Sequence, residues 1–292
     1  MFKGSIVAIV TPFSKGKVDE KKLEELVEFQ IKNGSSGIVP CGTTGESATL
    51  TFQEHERVIE IIIHKANKRV PVIAGTGSNS TDEAIMLTKQ AAQAGADASL
   101  QVSPYYNRPT QKGLYEHFKA IANSVDIPII LYNIAGRTGV NIEPETIARL
   151  ATDCKNIVAV KEASGNLEQM SRIKMLCPPS FQLISGDDGL TLPVLSIGGI
   201  GIISVVANIV PKDVADLVSA YELGNIKKAQ ELHYKLLPLI KAAFIETNPI
   251  PVKTAMGLLG MCEPDLRLPM SSMMPENLEK LKKALKDYGL LK

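Results

Sequence analysis

Ile157-Val158-Ala159-Val160-Lys161-Glu162 is the stretch whose reading decides the fold. Four apolar residues run without a polar break and then meet two opposite charges. A strand with one wet face alternates apolar and polar residues, whereas a strand covered on both faces does not. Ile127 to Leu131 and Ile202 to Val206 are apolar almost throughout in the same way. Such strands belong to a parallel sheet packed between helices.

Working outward, short β-rich runs begin near Ser5, Gly37, Val70, Asp97, Ile127, Ile157, Phe181 and Gly201. Amphipathic stretches separate them. From Asp19 to Asn33, Leu23, Leu26, Val27 and Ile31 share one helical face, and Gly34 stops the run. Phe52 to Ala66 carries Val58, Ile59, Ile62 and Ile63. A third helix is expected after Ser80-Thr81, with Asp82 and Glu83 suiting the positive end of its dipole, and it ends at Gly95. Eight strands with intervening helices predict a (β/α)₈ TIM barrel. The expected organisation is a catalytic barrel over residues 1–224 and a C-terminal helical extension over 225–292, packed on the barrel. An open doubly wound sheet is the competing fold, but no Gly-rich dinucleotide fingerprint follows the first strand.

Composition narrows the function. Of 292 residues, 32 are Lys or Arg and 31 Asp or Glu, for a net charge of +1. A nucleic-acid binder or a polybasic membrane-surface protein needs a basic excess that is missing. Cys41, Cys154, Cys177 and Cys262 lie far apart, as free thiols in a reducing compartment would. No signal peptide is read at the start, where the apolar run after Lys3 is short. Gly189 to Pro211 is uncharged and long enough to span a bilayer, but its glycine cluster and Asn208 read as the junction of two buried elements. The expected location is cytoplasmic, with no nucleic-acid or membrane partner.

Barrel chemistry belongs at the C-terminal ends of the strands. Those ends carry Gly42-Thr43-Thr44-Gly45-Glu46, Tyr105-Tyr106, Tyr132-Asn133 with Arg137 beyond, Lys161-Glu162, and Gly186-Asp187-Asp188. Lys161 on a buried strand is either paired or put to use. Alternation sends Lys161 and Glu162 to opposite faces, which weakens that pairing. A buried amine has its charged form disfavoured, which favours the neutral nucleophile that Schiff-base formation requires. Tyrosines and threonine hydroxyls at strand ends can relay protons, or merely pack a loop. Arg137 can hold a carboxylate bidentately, or make a plain surface ion pair. The four histidines fall in expected helices rather than at strand ends, and Asp187 and Asp188 would repel a phosphate. These residues together point to a small carbonyl substrate, handled without metal or phosphate.

The loop Gly42 to Glu46, the Tyr132-Asn133 strand end and Lys161-Glu162 in register resemble the pyruvate-dependent class I aldolase family, over about Gly4 to Leu291. That family contains dihydrodipicolinate synthases and N-acetylneuraminate lyases. Tyr132-Asn133-Ile134-Ala135-Gly136-Arg137-Thr138-Gly139, Ser185 to Asp188 and Asn248 to Lys253 are more similar to the synthase branch. Ala135-Gly136 departs from the proline-containing version common in the family. The resemblance implies an imine of pyruvate on Lys161 with no other cofactor, and L-aspartate 4-semialdehyde as second substrate. It implies a proton relay of Tyr132, Thr43 and Tyr106, the last donated by a neighbouring subunit of a homo-oligomer, expected as a tetramer built from two dimers. Thr44 would bind the pyruvyl carboxylate, Arg137 the semialdehyde carboxylate, and Gly186 and Ile203 would line the pocket. Ser47, Ala48, His55, Asn79, Glu83 and Tyr105 match an inhibitory L-lysine site, with Phe52 replacing a histidine found in some inhibited members. A sister aldolase such as an N-acetylneuraminate lyase, or a non-catalytic barrel with a silent Lys161, are the competing readings.

Overall fold

The computed structural model describes residues 2–292. Its barrel strands are β1 (Gly4–Ala8), β2 (Gly37–Val39), β3 (Ile73–Gly75), β4 (Ala98–Val102), β5 (Ile129–Asn133), β6 (Ile157–Glu162), β7 (Gln182–Ser185) and β8 (Gly201–Ser204). All eight are parallel in the order β2-β1-β8-β7-β6-β5-β4-β3, and a single parallel bridge between Ile38 and Val72 joins the two ends into a ring. The barrel helices are α1 (Glu20–Lys32), α2 (Phe52–Ala66), α3 (Thr81–Ala94), α4 (Gln111–Ala122), α5 (Pro144–Asp153), α6 (Leu167–Leu176), α7 (Thr191–Ser196) and α8 (Pro211–Glu222). The uncharged stretch from Gly189 to Pro211 is indeed shared between elements: α7, β8 and the start of α8. No helix among the described residues is long and apolar enough to cross a membrane.

Local chemistry sets the helix boundaries. Thr51 and Glu54 form a reciprocal capping box at the start of α2, and the Ser80 hydroxyl accepts from the Glu83 amide at the start of α3. One element was not legible in advance: a two-residue hairpin pairs Phe13-Ser14 with Lys17-Val18. Lys15 and Gly16 both adopt positive φ, as a tight primed turn demands.

Side-chain parity divides the strands. Ile130 and Tyr132 of β5, Ala159 of β6, Ile184 of β7 and Ile203 of β8 fill the barrel interior. Ile129 and Leu131, Val160 and Leu183 point out into the helical layer. Since successive strand residues alternate faces, Lys161 follows Ala159 inward and Glu162 follows Val160 outward. The C-terminal helices are α9 (Ile226–Ala243), α10 (Ile250–Leu258) and α11 (Pro275–Asp287). Leu232, Leu239, Val252, Leu281 and Leu285 from these helices share one buried cluster with Val7, Leu23 and Val58 of the barrel.

Candidate active site

Lys161 is 5% exposed. It pairs directly with Tyr132 across β5 and β6 and with Ile184 across β6 and β7. Its Nζ stands 4.2 Å from the centroid of the Tyr132 ring, and among the described residues it makes no ion pair. Tyr132 in turn forms part of the wall of a cavity of about 290 Å³ at the C-terminal mouth of the barrel, shared with Gly42, Thr43, Arg137 and Asn248. Lys161 itself lies off that wall, next to it through the Tyr132 ring.

Behind Lys161, Glu162 is fully buried on the other face of β6. Its carboxylate accepts from Asn133 Nδ2 at 2.9 Å, Gln169 Nε2 at 3.1 Å and the Ser164 amide at 2.7 Å. Asn133 is its register partner on β5. The outward pair Asn133-Glu162 is therefore hydrogen-bonded, and the inward pair Tyr132-Lys161 inherits its register.

Gly186 explains how the lysine stem fits. A Cβ at this position would stand 3.1 Å from Lys161 Cε and Cγ and 2.7 Å from the Ala163 Cβ. Ile203 is buried in the barrel interior beside Ile184. The two acids after β7 have different fates. Asp187 caps the turn through a 2.9 Å bond from the Gly189 amide. Asp188 is buried, and its carboxylate accepts from the Ser204 hydroxyl and, at 2.9 Å, from the Val205 amide. Burial pushes its carboxyl up to about 6, while those two bonds and the Lys161 charge pull the other way.

The loop after β2 delivers Thr43 to the cavity wall, whereas Thr44 is buried behind it. Thr44 Oγ1 accepts from Asn248 Nδ2 at 2.9 Å. Arg137 Nη2 donates to the Asn248 main-chain oxygen at 3.1 Å, so Asn248 touches both residues. The loop is anchored from below by Glu46, whose φ is +55° and whose carboxylate accepts from Lys253 Nζ at 2.6 Å and from the Arg267 amide at 3.2 Å. Neither Asn248 nor Lys253 was expected near the mouth, since no strand rhythm points to the segment that carries them. A lysine inside the apolar run Ile250 to Met256 was the signal that could have marked it.

Tyr106 is not brought to this cavity. It is 92% exposed, with φ +63°, and is not part of the cavity wall, although its neighbour Tyr105 is. Of the six residues matched to an inhibitor site, three reach the same cavity, and the Glu83 charge acts on both His55 and Tyr105. Ser47, Ala48 and Tyr105 lie on the cavity wall. His55 is buried, with Nε2 2.9 Å from the Gly75 oxygen. Burial lowers the His55 pKa, opposed by the Gly75 bond and the Glu83 charge. Burial likewise raises the Tyr105 hydroxyl, and Glu83 adds to it. Glu83 accepts from the Ser78 hydroxyl at 2.6 Å. Asn79 Oδ1 is buried with no hydrogen-bond partner among the described residues. Phe52 is half exposed. Among the described residues there is no group of three His, Cys, Asp or Glu side chains placed to hold a metal ion.

Comparison with known proteins identifies the family. Residues 1–288 match the model of the dihydrodipicolinate synthetase family. The 4-hydroxy-tetrahydrodipicolinate synthases of Endomicrobium trichonymphae and Syntrophus aciditrophicus are 62% and 61% identical, each over the whole of both chains. The crystal structure of dihydrodipicolinate synthase from Aquifex aeolicus superposes with a TM-score of 0.98 at 54% identity, covering 99% of each chain. The Acinetobacter baumannii enzyme complexed with pyruvate has a TM-score of 0.97 at 46% identity over 100% of each chain. The Cyanidioschyzon merolae enzyme with lysine bound has a TM-score of 0.96 at 46% identity over 99% of each chain. The chain belongs to the dihydrodipicolinate synthetase family.

Proposed function

We propose, from membership of that family, that the chain is a 4-hydroxy-tetrahydrodipicolinate synthase acting through an imine on Lys161. The observation that carries the reading is the inward-facing, unpaired amine of Lys161 beside the Tyr132 ring. Its nitrogen adds to the C2 carbonyl of pyruvate and water leaves, giving the imine. Loss of a C3 proton makes the enamine. C3 then bonds to the aldehyde carbon of L-aspartate 4-semialdehyde, whose oxygen takes a proton and becomes the ring hydroxyl. The α-amine of that substrate attacks C2, closes the six-membered ring and expels the lysine amine. Tyr132 and Thr43 pass the protons, completed by Tyr106 of a neighbouring copy. Thr44 serves the pyruvyl carboxylate and Arg137 the semialdehyde carboxylate. Gly186 and Ile203 shape the lysine side of the pocket, and no metal or other cofactor takes part.

The family resemblance implies a homo-oligomer, a tetramer of two dimers, and the exposed Tyr106 side chain supports that reading. L-lysine inhibits by binding at Ser47, Ala48, His55, Asn79, Glu83 and Tyr105. Glu83 meets an ammonium of the inhibitor, and the unpartnered Asn79 Oδ1 accepts from one. The enzyme works in the cytoplasm, in lysine and diaminopimelate biosynthesis. Reduction with borohydride in the presence of pyruvate should add a stable adduct at Lys161, and a coupled assay should consume both substrates. An adduct on another residue, or adduct formation with no use of aspartate semialdehyde, would overturn the reading in favour of a different aldolase.

A further inference from the structure

We infer that Asn248 is a positioning residue that orients the donors of both carboxylate subsites, one through its side chain and the other through its backbone. The inference rests on the proposed roles of Thr44 and Arg137. Asn248 is 5% exposed and lies between them. Its Nδ2 donates to Thr44 Oγ1 at 2.9 Å. A hydroxyl whose oxygen already accepts a bond is left with its proton to donate. Thr44 is thereby turned into a donor, which is what a carboxylate requires. The main-chain oxygen of Asn248 accepts from Arg137 Nη2 at 3.1 Å. A guanidinium carries five N–H groups in a rigid fork. Tying one of them to a fixed carbonyl sets the plane of the others without consuming the face a second carboxylate needs.

The segment bearing Asn248 is itself immobilised. Five residues on, Lys253 is fully buried in its 2.6 Å ion pair with Glu46, on the same loop as Thr44. Asn248 and Thr44 are thus two ends of one braced unit, although 204 positions separate them in sequence.

The two arms of Asn248 are separable by mutation, because only one is a side chain. Asn248→Ala should raise the KM for pyruvate about tenfold, the size expected for one oriented hydrogen bond. It should leave the KM for aspartate semialdehyde within about twofold, since the backbone bond to Arg137 survives. Asn248→Asp keeps the shape but offers only acceptors, so Thr44 must spend its proton on the new carboxylate. The KM for pyruvate should then rise further than in the alanine variant. In a Thr44→Val background, Asn248→Ala should add nothing, because its target is already gone. Thermal melts within a few degrees of the parent verify that the variants are folded. Additive effects in the double mutant, equal rises in both KM values, or an unchanged KM for pyruvate would each overturn the inference. Failure of the parent to form a Lys161 adduct would instead overturn the proposed function, so the two failures are distinguishable.

Discussion

Lys253 Nζ lies 2.6 Å from Glu46 Oε1, and both side chains are buried, 207 residues apart in the chain. Lys253 Nζ also sits 4.0 Å from the centre of the Phe13 ring, so the hairpin after β1, the loop after β2 and α10 meet at one ion pair. Burial alone lowers the Lys253 pKa, and the Glu46 carboxylate works against it. Removing one partner leaves the other charge stranded in an apolar setting. Lys253→Met is therefore expected to cost about 3–5 kcal/mol in chemical denaturation, and adding Glu46→Gln should recover part of that loss. A single variant as stable as the parent would show that the loop is held by other means.

Gly186 is required by the Ala163 methyl and the lysine stem packed against it, and not by a left-handed backbone angle. Gly186→Ala places a Cβ 3.1 Å from Lys161 Cε and should push the amine out of its place beside Tyr132. The rate of pyruvate adduct formation is expected to fall at least about a hundredfold, as misplacing a reacting atom by about 1 Å does. Stopped borohydride trapping measures this directly, and parent-like trapping would dismiss the steric account.

His117 supplies a pH signature. It is buried, with Nδ1 2.9 Å from the Thr81 hydroxyl, and burial lowers its pKa to about 4. The unfolded chain binds a proton near its ordinary value of about 6.5, so the native state binds fewer protons between those limits. The stability it confers is complete above about pH 6.5 and is lost as pH falls toward 4. Between pH 7 and pH 5 the loss is roughly 2 kcal/mol. His117→Gln should flatten that part of the curve in denaturant titrations at the two pH values. An unchanged slope would mean that other groups carry it.

The proposed donation of Tyr106 between copies predicts complementation. Tyr106→Phe and Lys161→Ala should each be nearly inactive alone. Co-expressed and assembled together, a Tyr106→Phe copy keeps its lysine and receives an intact tyrosine from its partner. Activity should therefore reappear in mixed oligomers, read in the coupled assay. Persistent inactivity of a verified mixed oligomer would exclude the exchange.

Lysine regulation is tested at Glu83 and Asn79. Replacing either by Ala should weaken inhibition by at least about tenfold, since each removes a charged or charge-assisted bond to the inhibitor. Pyruvate should still form its adduct in both variants. Inhibition curves that overlay the parent would place the inhibitor elsewhere.

The strand-helix rhythm, the barrel and the placing of Lys161 and Glu162 on opposite faces of one strand were legible in the sequence, because they follow from local periodicity; that Lys161 takes the inner face was decided by the structure. Apolar runs such as Ile157 to Val160 report burial on both faces, and alternation then assigns Lys161 and Glu162 to opposite sides. The tertiary structure alone decided what surrounds that lysine. Asn248 meets Thr44, and Lys253 meets Glu46, across more than 200 residues, at distances no local pattern encodes. It also decided that Asp188 is tied to Ser204 and Val205, and that the Tyr106 side chain is exposed and off the wall of the cavity that holds Tyr132. Local sequence specifies which face a side chain takes, while ring closure and the return of the C-terminal segment determine what that face meets.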